Sequence, residues 1–428
     1  MSASTGKSSL MVIQSGSDGP RHLTGYDVSM YPRDNPKHQD DVKMFKDEVA
    51  FVNTLGMEAH YKEGWALKDW DGDVDQRDAA VFPNQGTFHP TKYVIGLLKW
   101  LRTQPNFQCY THTRVIGFHE KGVQILGIGS KSVKMDTEAG HVISCKYAVQ
   151  ATCVPLQKLA VVAQEEWYRT YCIAVKVPKG YIEDCLLYDS ADPYIYVRFT
   201  HCDDEHDYMV VGGGDHPVGQ EEPTGRFEDL EKWVRQRFTK AGSVDYKWSG
   251  QIYEPVDFMA YIGSNQGQDN IFIITGDSGN GLTHGVLAGK LLADQIEGKH
   301  NPWSSLYSPT RKVSLLKALP DMLTHDVQIN AQYKRFAETD IEDVGQLPAG
   351  EGGVLNVKNK GEAGPIAVYK DEGGKVFSMS ALCPHMKGVV CWNRVEKSWD
   401  CPVHGSRFSA KGLCVIGPAK QNLSPKEL

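Results

Sequence analysis

Four metal-binding side chains near the C-terminus constrain this chain more than any other feature of its sequence. Cys383-Pro384-His385 is followed by fifteen residues, 386–400, and then by Cys401-Pro402-Val403-His404. Each segment offers one thiolate and one imidazole, and both segments lie among Pro and Gly residues. Thiolate and imidazole are ligands of zinc and of iron–sulfur clusters, so the spacing predicts a metal centre built from two loops.

Three interpretations of this pattern are open: a [2Fe–2S] cluster, a zinc site and chance. A cluster that has two Cys on one iron and two His on the other needs the set present here. Tetrahedral zinc also accepts two Cys and two His, but a zinc finger pairs Cys with Cys and carries its histidines on a helix. Because each pair is mixed, the sequence favours the cluster over zinc and over chance.

The two segments resemble the cluster-binding loops of the Rieske family. The resemblance rests on residues 381–385 and 400–408, and on Gly417-Pro418-Ala419, which is similar to the proline loop that covers the cluster. The resemblance implies that the ligands of a [2Fe–2S] cluster are Cys383, His385, Cys401 and His404.

Two positions depart from the Rieske proteins of respiratory complexes. Val403 stands where those proteins have a second-loop Cys, so their disulfide is not expected here and Cys391 is predicted to be a free thiol. Phe408 stands where high-potential members have a Tyr, which leaves Ser406 as a donor to a ligand sulfur. Since hydrogen bonds to the sulfurs raise the potential, we expect a value within roughly −150 to +300 mV but below the top of that range.

Composition and charge restrict the classes of partner. The 428 residues suffice for two or three domains, and the net charge of −7 makes nucleic acids and anionic membranes poor partners. No apolar run approaches the ~20 residues of a transmembrane helix, and residues 10–13 are too short for a signal-peptide core. Of the ten Cys, those outside the two loops are scattered without a framework, which fits reduced thiols and a cytoplasmic location.

Patterns along the chain predict a mixed α and β organisation. Residues 1–45 are polar and are predicted to be irregular, and residues 160–257 read as an antiparallel β region that suits substrate binding. The other predicted elements are helices over 47–55, 91–103 and 226–240, a hairpin over 132–137 and 141–145, and a buried strand over 146–152.

A second informative stretch lies at residues 270–297. An apolar strand, 270–275, of the type buried in a parallel sheet runs into a glycine-rich loop and then into a predicted helix over 286–297. A strand, a glycine loop and a helix place backbone N–H groups and a helix N-terminus beside an anion. An ordinary strand-to-helix turn that needs glycine for its angle is the alternative, with equal weight on the pattern alone.

This stretch resembles the C-terminal flavin-binding segment of the D-amino-acid-oxidase superfamily, and the similarity continues upstream at residues 194–198, 211–216 and 248–251. Together with the two Cys/His loops, the chain is similar to FAD-dependent oxidoreductases that carry a C-terminal Rieske domain. The resemblance implies an FAD cofactor in contact with Gly276, Asp277, Gly279, Asn280, Gly281 and Thr283.

The predicted fold class is an α/β (α+β) FAD-dependent oxidoreductase-like fold, N-terminally truncated, with an inserted antiparallel β substrate domain, plus a small all-β Rieske domain. The predicted domains are a flavin-type domain over residues 1–315, whose substrate-type β region spans about 160–257, a helical linker over 316–345, and the Rieske domain over 346–428.

One expected motif is missing from the sequence. Flavoproteins of this type begin with a strand, a Gly-x-Gly-x-x-Gly loop that receives the pyrophosphate, and a helix. Gly127-Ile128-Gly129 lacks the third Gly, and Pro217 stands where a third Gly would follow Gly212-Gly213-Gly214. By the resemblance, Met1 falls after the missing unit, so retention and loss of FAD binding are both open.

The candidate catalytic residues are Arg198, Tyr196 and His216. A guanidinium group binds a carboxylate through two hydrogen bonds, so Arg198 suits the carboxylate of an amino acid. Tyr196 and His216 are predicted to line the same pocket. An ordinary structural role is the alternative for each of the three.

Three functions compete on this sequence. The preferred one is a flavin-plus-Rieske oxidoreductase that oxidises a small molecule, such as an amine or amino acid, and exchanges electrons with an unidentified donor or acceptor through the cluster. The second is a Rieske electron-transfer protein on a flavin-fold scaffold that no longer binds FAD. The third, an oxygenase, needs a mononuclear iron on two His and a carboxylate; a solvated polar loop better explains His201, Asp203, Asp204 and His206.

Overall fold

The computed structural model describes residues 21–64, 67, 70–74, 78–122, 131–156, 160–221, 223–311, 331–355 and 364–428. The chain divides into two compact units. The first unit comprises residues 1–110, 170–215 and 225–250, and the second comprises residues 111–169, 216–224 and 251–428.

Strands far outnumber helices among the described residues. The helices are α1 His38–Thr54, α2 Pro90–Leu101, α3 Arg226–Arg235 and α4 Gly281–Ile296, with 3₁₀ turns at Ala160–Gln164, Gln332–Ala337 and Val344–Gln346. The strands are β1 Arg21–Val28, β2 His60–Lys62, β3 Ala79–Thr87, β4 Val115–Lys121, β5 Ser132–Thr137, β6 Val142–Cys145, β7 Ala148–Gln150, β8 Glu165–Pro178, β9 Cys185–Asp189, β10 Tyr196–His201, β11 His206–Pro217, β12 Val244–Pro255, β13 Tyr261–Ser264, β14 Ile271–Thr275, β15 Gly352–Leu355, β16 Ile366–Lys370, β17 Val376–Ser380, β18 Cys391–Asn393, β19 Ser398–Asp400, β20 Arg407–Ser409 and β21 Cys414–Ile416.

The largest sheet has eight strands in the order β12-β8-β11-β10-β9-β1-β3-β2. Alternate residues of a strand face opposite sides of a sheet, and β10 shows this pattern: Val197 and Phe199 are buried, whereas Tyr196 and Arg198 are half-buried. The strands β8 to β12 and the single helix α3 match the predicted β region. Helix α3 ends at Arg235 rather than Lys240, because the Arg235 guanidinium binds the carbonyls of Ala241 and Gly242 beyond the helix end.

The N-terminal expectation of irregular structure is wrong for the described part of residues 1–45. Strand β1 pairs in parallel with β9 and antiparallel with β3, and helix α1 begins at His38. Only long-range pairing explains β1, since its sequence is interrupted by polar residues and glycine. The start of α1 is fixed by the buried carboxylate of Asp41, which accepts hydrogen bonds from Ser29 (2.6 Å) and Ser190 (2.5 Å).

Two small sheets form the flavin-type part of the second unit. Strand β14 lies between its parallel partner β7 and its antiparallel partner β13, while β4, β5 and β6 form a second sheet that includes the predicted hairpin. Helix α4 packs against β13 and β14 through a core that includes Ile262, Phe272 and Leu291. It begins at Gly281, five residues before the predicted Val286, so the glycine-rich loop leads directly into the helix.

Two β-sheets form the C-terminal region, in the orders β15-β16-β17 and β18-β19-β20-β21. A core that includes Val354, Met379, Trp399 and Phe408 takes residues from both sheets, so the all-β prediction for this region is confirmed. Of the predicted helical linker, residues 316–330 lie outside the described residues, and the described remainder contains the 3₁₀ turn Gln332–Ala337 and the start of the 3₁₀ turn Val344–Gln346. Across the described ranges, no helix is both long and apolar enough to span a bilayer.

Candidate functional site

Two loops of identical backbone design carry the four predicted metal ligands. In the first loop the Cys383 N–H donates to Gly388 and its carbonyl accepts from Lys387; both distances are 2.9 Å. In the second, the Cys401 N–H donates to Ser406 at 2.8 Å and its carbonyl accepts from Gly405 at 3.0 Å. Each turn places the Cys at its start and the His at its tip, so the repeated Cys-Pro sequence produces the repeated geometry.

The four side chains come together as two like pairs. The Cys383 and Cys401 sulfurs share a hydrogen bond, and the pKa of the Cys383 thiol is lowered because Cys401 donates to it. The rings of His385 and His404 face each other edge to face with centroids 4.8 Å apart. Cys383, Cys401 and His404 are all at most 6% exposed.

This pairing bears on the kind of metal group that the loops fit. A single tetrahedral zinc needs all four ligands around one point. Within the described ranges, no group of three or more His, Cys, Asp or Glu side chains converges on one such point. A cluster that takes its sulfur ligands on one iron and its nitrogen ligands on the other fits a Cys pair beside a His pair. The donor set therefore fits the [2Fe–2S] group.

The surroundings of the sulfurs agree with the expectations from Ser406, Phe408 and Cys391. Ser406 is fully buried, its hydroxyl donates to the Cys383 sulfur, and its oxygen accepts from the Ala419 N–H at 3.0 Å. Phe408 lies in the hydrophobic core and carries no donor. Cys391 is a free thiol, and burial raises its pKa to about 12.

The linker contributes one contact that the sequence patterns did not reveal. Tyr333, in the 3₁₀ turn Gln332–Ala337, packs on the core of the C-terminal region and donates from its hydroxyl to the Met386 carbonyl at 3.1 Å. Met386 directly follows His385 in the first loop. Tyr333 therefore holds the backbone of that loop.

Residues far away in sequence hold the second loop, all within the second unit. The centroid of the Trp167 indole ring, on β8, lies 5.3 Å from the centroid of the His404 ring. Gln251 donates to the Gly405 carbonyl at 2.8 Å, and a Cβ added at Gly405 would lie 2.7 Å from both Trp167 and Gln251. Tyr253 donates to the Gly417 carbonyl of the proline loop at 3.2 Å. The second loop is thus seated against the flavin-type strands.

A buried ion cluster fixes the strands beneath the second loop. Arg407 binds Asp400 and Glu396, each at 2.8 Å, and Arg169 binds Glu396 through both ends of the carboxylate. Arg407 and Asp400 are almost fully buried. Each charge in this cluster has an opposite partner, which is the condition under which buried charges are tolerated.

The predicted cofactor loop, residues 276–280, forms a tight turn between β14 and α4. Gly276 and Gly279 have φ values of +69° and +80°, a conformation that glycine adopts without strain. The Asp277 carboxylate accepts from the Gly279 N–H at 3.1 Å and lies where a side chain at Gly281 would be. The hydroxyl of Thr283 donates back to the Asn280 carbonyl at 2.9 Å, so it stabilises the turn itself.

Two features of this loop fit a bound group. Among the described residues, no side chain caps the N-terminus of α4, which leaves backbone N–H groups for a partner. The hydroxyl of Ser278 is buried and has no hydrogen-bond partner among the described residues. Both features suit a polar or anionic group, and neither depends on the pyrophosphate motif that the sequence lacks.

A buried acid that sequence reasoning missed lies beneath this loop. Glu165, at the start of β8, is 0% exposed, and a Cβ at Gly276 would lie 2.8 Å from its carboxyl oxygen. Burial raises its pKa to about 8; the Thr275 hydroxyl opposes this shift, Asp277 adds to it and Arg311 opposes it. Glu165 is therefore a neutral acid at pH 7, two residues from Trp167 on the same strand.

The structure places two of the three predicted catalytic residues on one face of β10. Tyr196 lies over Gly212, where a Cβ would collide with its ring, and its hydroxyl is 3.1 Å from Thr170 Oγ1 and 3.3 Å from Cys172 Sγ. Arg198, two residues along, makes no ion pair with any described residue, and its buried Nε has no acceptor there. Burial lowers the pKa of Arg198.

His216 belongs to the second unit, whereas Tyr196 and Arg198 belong to the first. His216 is 2% exposed, and its Nδ1 is 3.0 Å from the Pro217 carbonyl oxygen. Because a carbonyl oxygen only accepts, Nδ1 carries the proton in this contact. Its catalytic role stays a prediction.

In the loop between His201 and His206, the polar side chains form hydrogen bonds with neighbouring protein groups. The Asp203 carboxylate binds His206 at 2.9 Å, Lys176 at 3.2 Å and the Glu205 N–H at 3.0 Å. These contacts lower the pKa of Asp203, with His206 as the main cause. The arrangement agrees with the solvated polar loop that the sequence favours over an iron triad.

Two family profiles match the chain. The profile described as FAD dependent oxidoreductase covers residues 27–295, and the profile of the Rieske [2Fe-2S] domain covers residues 338–426. The first match spans more than half of the chain and includes the predicted cofactor loop. The second includes all four predicted metal ligands.

Similar proteins and structures agree with these two matches. The chain is 27% identical over 397 residues to YhfW of Bacillus subtilis, named as a Rieske 2Fe-2S iron-sulfur protein, covering 91% of this chain and 73% of YhfW. It is 37% identical over 65 residues to the cytochrome b6-f complex iron-sulfur subunit of Arabidopsis thaliana, covering 15% of this chain and 28% of that subunit. A glycine oxidase structure from Geobacillus kaustophilus matches with a TM-score of 0.58 and 15% identity, covering 72% of this chain and 80% of that one.

Proposed function

Since the chain belongs to the FAD-dependent oxidoreductase family and carries a Rieske [2Fe–2S] domain, we propose that it oxidises a small amine or amino acid and releases the electrons through its cluster. Bound FAD would supply the two-electron chemistry, and the cluster would supply one-electron transfer to an acceptor. The protein's own residues then have three tasks: they hold the cluster, seat the flavin and orient the substrate.

The observation that carries this proposal is the seating of the second cluster loop on strand β8. Trp167 contacts the ring of His404, and two residues earlier Glu165 lies under Gly276 of the cofactor loop. Two residues of a strand span about 7 Å. Within the second unit, one short piece of strand therefore touches both redox loops, which suits electron transfer inside a single chain.

The cluster-holding task falls to Cys383 and Cys401 on one side and to His385 and His404 on the other. The shared backbone turns hold each Cys and His before any metal binds. Ser406 donates to the Cys383 sulfur and stabilises extra electron density there, which favours the reduced cluster. With Phe408 in place of a second donor, we expect an intermediate potential.

Flavin seating falls to residues 276–283. The uncapped N-terminus of α4 and the buried Ser278 hydroxyl offer donors to a polar edge of the ring system. Gly276 permits the close turn, since any side chain there would meet Pro255 and Glu165. Glu165 supplies a neutral carboxylic acid beneath the loop, so no fixed negative charge opposes electrons that arrive there.

Substrate orientation falls to Arg198, with Tyr196 beside it. The Arg198 guanidinium has no carboxylate partner among the described residues, although Arg198 is partly buried. A buried cation is stabilised when a carboxylate pairs with it, so a substrate carboxylate supplies what the protein leaves out. Solved structures of this fold include a glycine oxidase and an L-proline dehydrogenase, which supports amino acids as the substrate class.

A second candidate function has its own supporting observation. The cluster ligands form a complete set, whereas no Gly-x-Gly-x-x-Gly sequence occurs in the 428 residues. An electron-transfer protein that uses the flavin fold as a scaffold needs the cluster ligands but does not need the Gly-x-Gly-x-x-Gly sequence. This alternative predicts reversible cluster redox chemistry without any flavin.

An absorbance spectrum with iron, sulfide and flavin quantified on the purified protein separates the two functions. The proposal expects two irons per chain together with flavin, retained or taken up on addition of FAD, and bleaching of both chromophores by amino acids without oxygen. A red-brown protein that never binds FAD would overturn the enzyme proposal and leave the electron carrier. Three irons per chain would contradict both functions.

A further inference from the structure

One face of the large sheet in the first unit is packed and the opposite face is half open. Tyr26, Val28, Leu187 and Val197 are buried on the packed face. The other face carries charged and aromatic side chains that are only partly covered. Its members on β1, β9 and β10 are Asp27, Leu186, Tyr188, Tyr196 and Arg198.

The strand register brings an acid and a base to this face on either side of a tyrosine. Asp27 of β1 pairs with Tyr188 of β9, which in turn pairs with Tyr196 of β10. Arg198 lies two residues beyond Tyr196 and points to the same side. From strand spacing and rise, the Cα atoms of Asp27 and Arg198 are about 12 Å apart.

The two charges are close enough to act on the same group but are not paired with each other. Burial raises the pKa of Tyr188, the Asp27 carboxylate adds to that rise, and Arg198 opposes it. The Tyr188 hydroxyl therefore lies within the fields of both. Neither Asp27 nor Arg198 forms an ion pair or side-chain hydrogen bond with another described residue, although both are partly buried.

We propose that Asp27 binds the ammonium group of a zwitterionic α-amino acid whose carboxylate is held by Arg198. This inference rests on the proposed function for the identity of the carboxylate anchor and extends it to the amine. A zwitterion carries its opposite charges a few bonds apart and can neutralise both unpaired groups at once. A simple carboxylic acid or a simple amine neutralises only one of them.

Other groups on this face support a cationic ligand end at Asp27. Glu48 of α1 adds negative charge beside Asp27, and it also lines a groove of about 550 Å³ whose other charged residues are Asp40, Asp47 and Lys43, so that three acids face one cation. Three tyrosines, 188, 194 and 196, form a continuous row with ring centroids 6.0 and 5.9 Å apart. Aromatic faces and carboxylates both attract an ammonium group.

A second partly buried acid near this face, Asp215, is a poorer candidate. It lies toward β8, where Thr170 and Arg226 lower its pKa against the effect of burial. Arg226 already supplies positive charge there. Asp27 has no such cation, so its carboxylate has more to gain from a ligand.

Three matched ligands test the assignment on the purified full-length chain: ¹³C-labelled glycine, acetate and methylamine, titrated and followed by the line width of the ligand signals. We expect glycine to bind at least tenfold more tightly than acetate, the scale of one hydrogen bond to a charged group. Asp27→Asn removes this preference while acetate binding is kept. Asp229→Asn, which makes the same charge change at an exposed site on α3, leaves the preference intact.

The pH dependence gives a second readout of the same contact. Burial and the neighbouring Glu48 raise the pKa of Asp27 to about 6, with Tyr188 and Arg198 facing it from β9 and β10. The carboxylate is present above that pH and is lost below it. In the wild type the preference for glycine over acetate therefore falls between pH 7 and pH 5, and in Asp27→Asn it does not change.

The outcomes separate this inference from the proposed function. An Asp27→Asn chain that still prefers glycine overturns the assignment of Asp27 and leaves Arg198 as the anchor. An Arg198→Met chain that binds acetate as tightly as the wild type overturns the carboxylate anchor, and with it both proposals. A wild-type chain that binds neither glycine nor acetate also overturns both.

Discussion

The cluster loops of the second unit and the half-open sheet face of the first unit treat their charges in opposite ways. Around the second cluster loop, Arg407 is paired with Asp400 and Glu396, and Glu396 is paired again with Arg169. On the sheet face, Asp27 and Arg198 have no ionic partner among the described residues. One region is electrostatically complete and the other is not.

This difference separates a site for a permanent group from a site for a passing ligand. A cluster that stays bound is best held by ligands that are already fixed in place. Charged residues around such ligands pair with one another, and these pairs keep the loops rigid. A substrate site leaves charges unpaired, and the substrate completes them at some cost to the stability of the empty protein. The five predictions below test this contrast, in order of decreasing effect.

The largest effect is expected from loss of one cluster ligand. Cys401→Ser removes one of the two sulfur ligands, and we expect iron to fall from two per chain to nearly none. Iron and sulfide analysis with electron paramagnetic resonance of the reduced protein measures this. Cys391→Ser, at a free thiol, serves as the control and keeps the cluster. A Cys401→Ser protein with a full [2Fe–2S] signal would contradict the ligand assignment.

The next largest effect is expected where a paired buried charge is removed. Arg407→Met leaves the buried Asp400 without its ion-pair partner, while Glu396 keeps its pair with Arg169, and we expect the free energy of unfolding to fall by about 3–5 kcal/mol. Lys397→Met breaks the more exposed pair with Glu351 and is expected to cost no more than about 1 kcal/mol. Urea denaturation of the two variants compares them; equal losses would mean that the buried cluster is not special.

A pH-dependent effect is expected at Glu165. Its pKa is raised from 4.5 to about 8, so the folded chain keeps a proton that the unfolded chain releases. Wild-type stability therefore declines as the pH rises from about 5 to 8, by on the order of a few kcal/mol. Glu165→Gln lacks this decline, which denaturation at pH 5 and pH 8 measures. The exposed control Glu297→Gln follows the wild type; parallel curves for all three proteins would refute the prediction.

A smaller effect is expected at the hydrogen bond to the cluster. Ser406→Ala removes the donor to the Cys383 sulfur, so the reduced cluster loses stability relative to the oxidised cluster. We expect the reduction potential to fall by about 60 mV, which is a tenfold change in the equilibrium constant of a one-electron couple. Redox titration followed by the visible spectrum measures the shift. Ser424→Ala, at an exposed site, leaves the potential unchanged. An unchanged potential in Ser406→Ala would show that this contact does not tune the cluster.

The smallest effect is expected to have the opposite sign. Arg198→Met keeps the apolar stem and removes a partly buried, unpaired cation, so we expect the ligand-free protein to gain on the order of 1 kcal/mol. Arg235→Met, which loses contacts to Glu231 and the end of α3, is the control that loses stability. The shift of the denaturation midpoint measures the change in stability. If Arg198→Met lowered the stability, Arg198 would be a structural residue, as Arg407 is.

The metal centre could be predicted from the sequence because its ligands are local. Four ligands and Ser406 lie within 24 residues, and each loop closes on itself through backbone hydrogen bonds. Such turns depend on the order of Cys, Pro, His and Gly and hardly on the rest of the chain. The all-β character of the C-terminal region was readable for a similar reason, since its strands are short, sequential hairpins.

The residues that the sequence did not reveal are those brought together by distant pairing. Trp167 and Gln251 reach the second loop from more than 150 positions away in the sequence. Asp27 lies in a segment predicted to be irregular, because the parallel pairing of β1 with β9 has no local signature. Glu165 looked like an ordinary acid, since nothing in its neighbourhood of sequence shows that it is buried.

The seat at Gly405 limits how this Rieske domain can be exchanged. Even one methyl group there would meet Trp167 and Gln251, and the +68° φ of Gly405 already disfavours any other residue. A Rieske domain transplanted from another protein would fit these strands only with glycine at that position. Conversely, this domain moved to another enzyme would lose the indole ring against His404. The Rieske domain is thus matched to the strands beneath it, and a single added Cβ atom at position 405 would be enough to disturb the match.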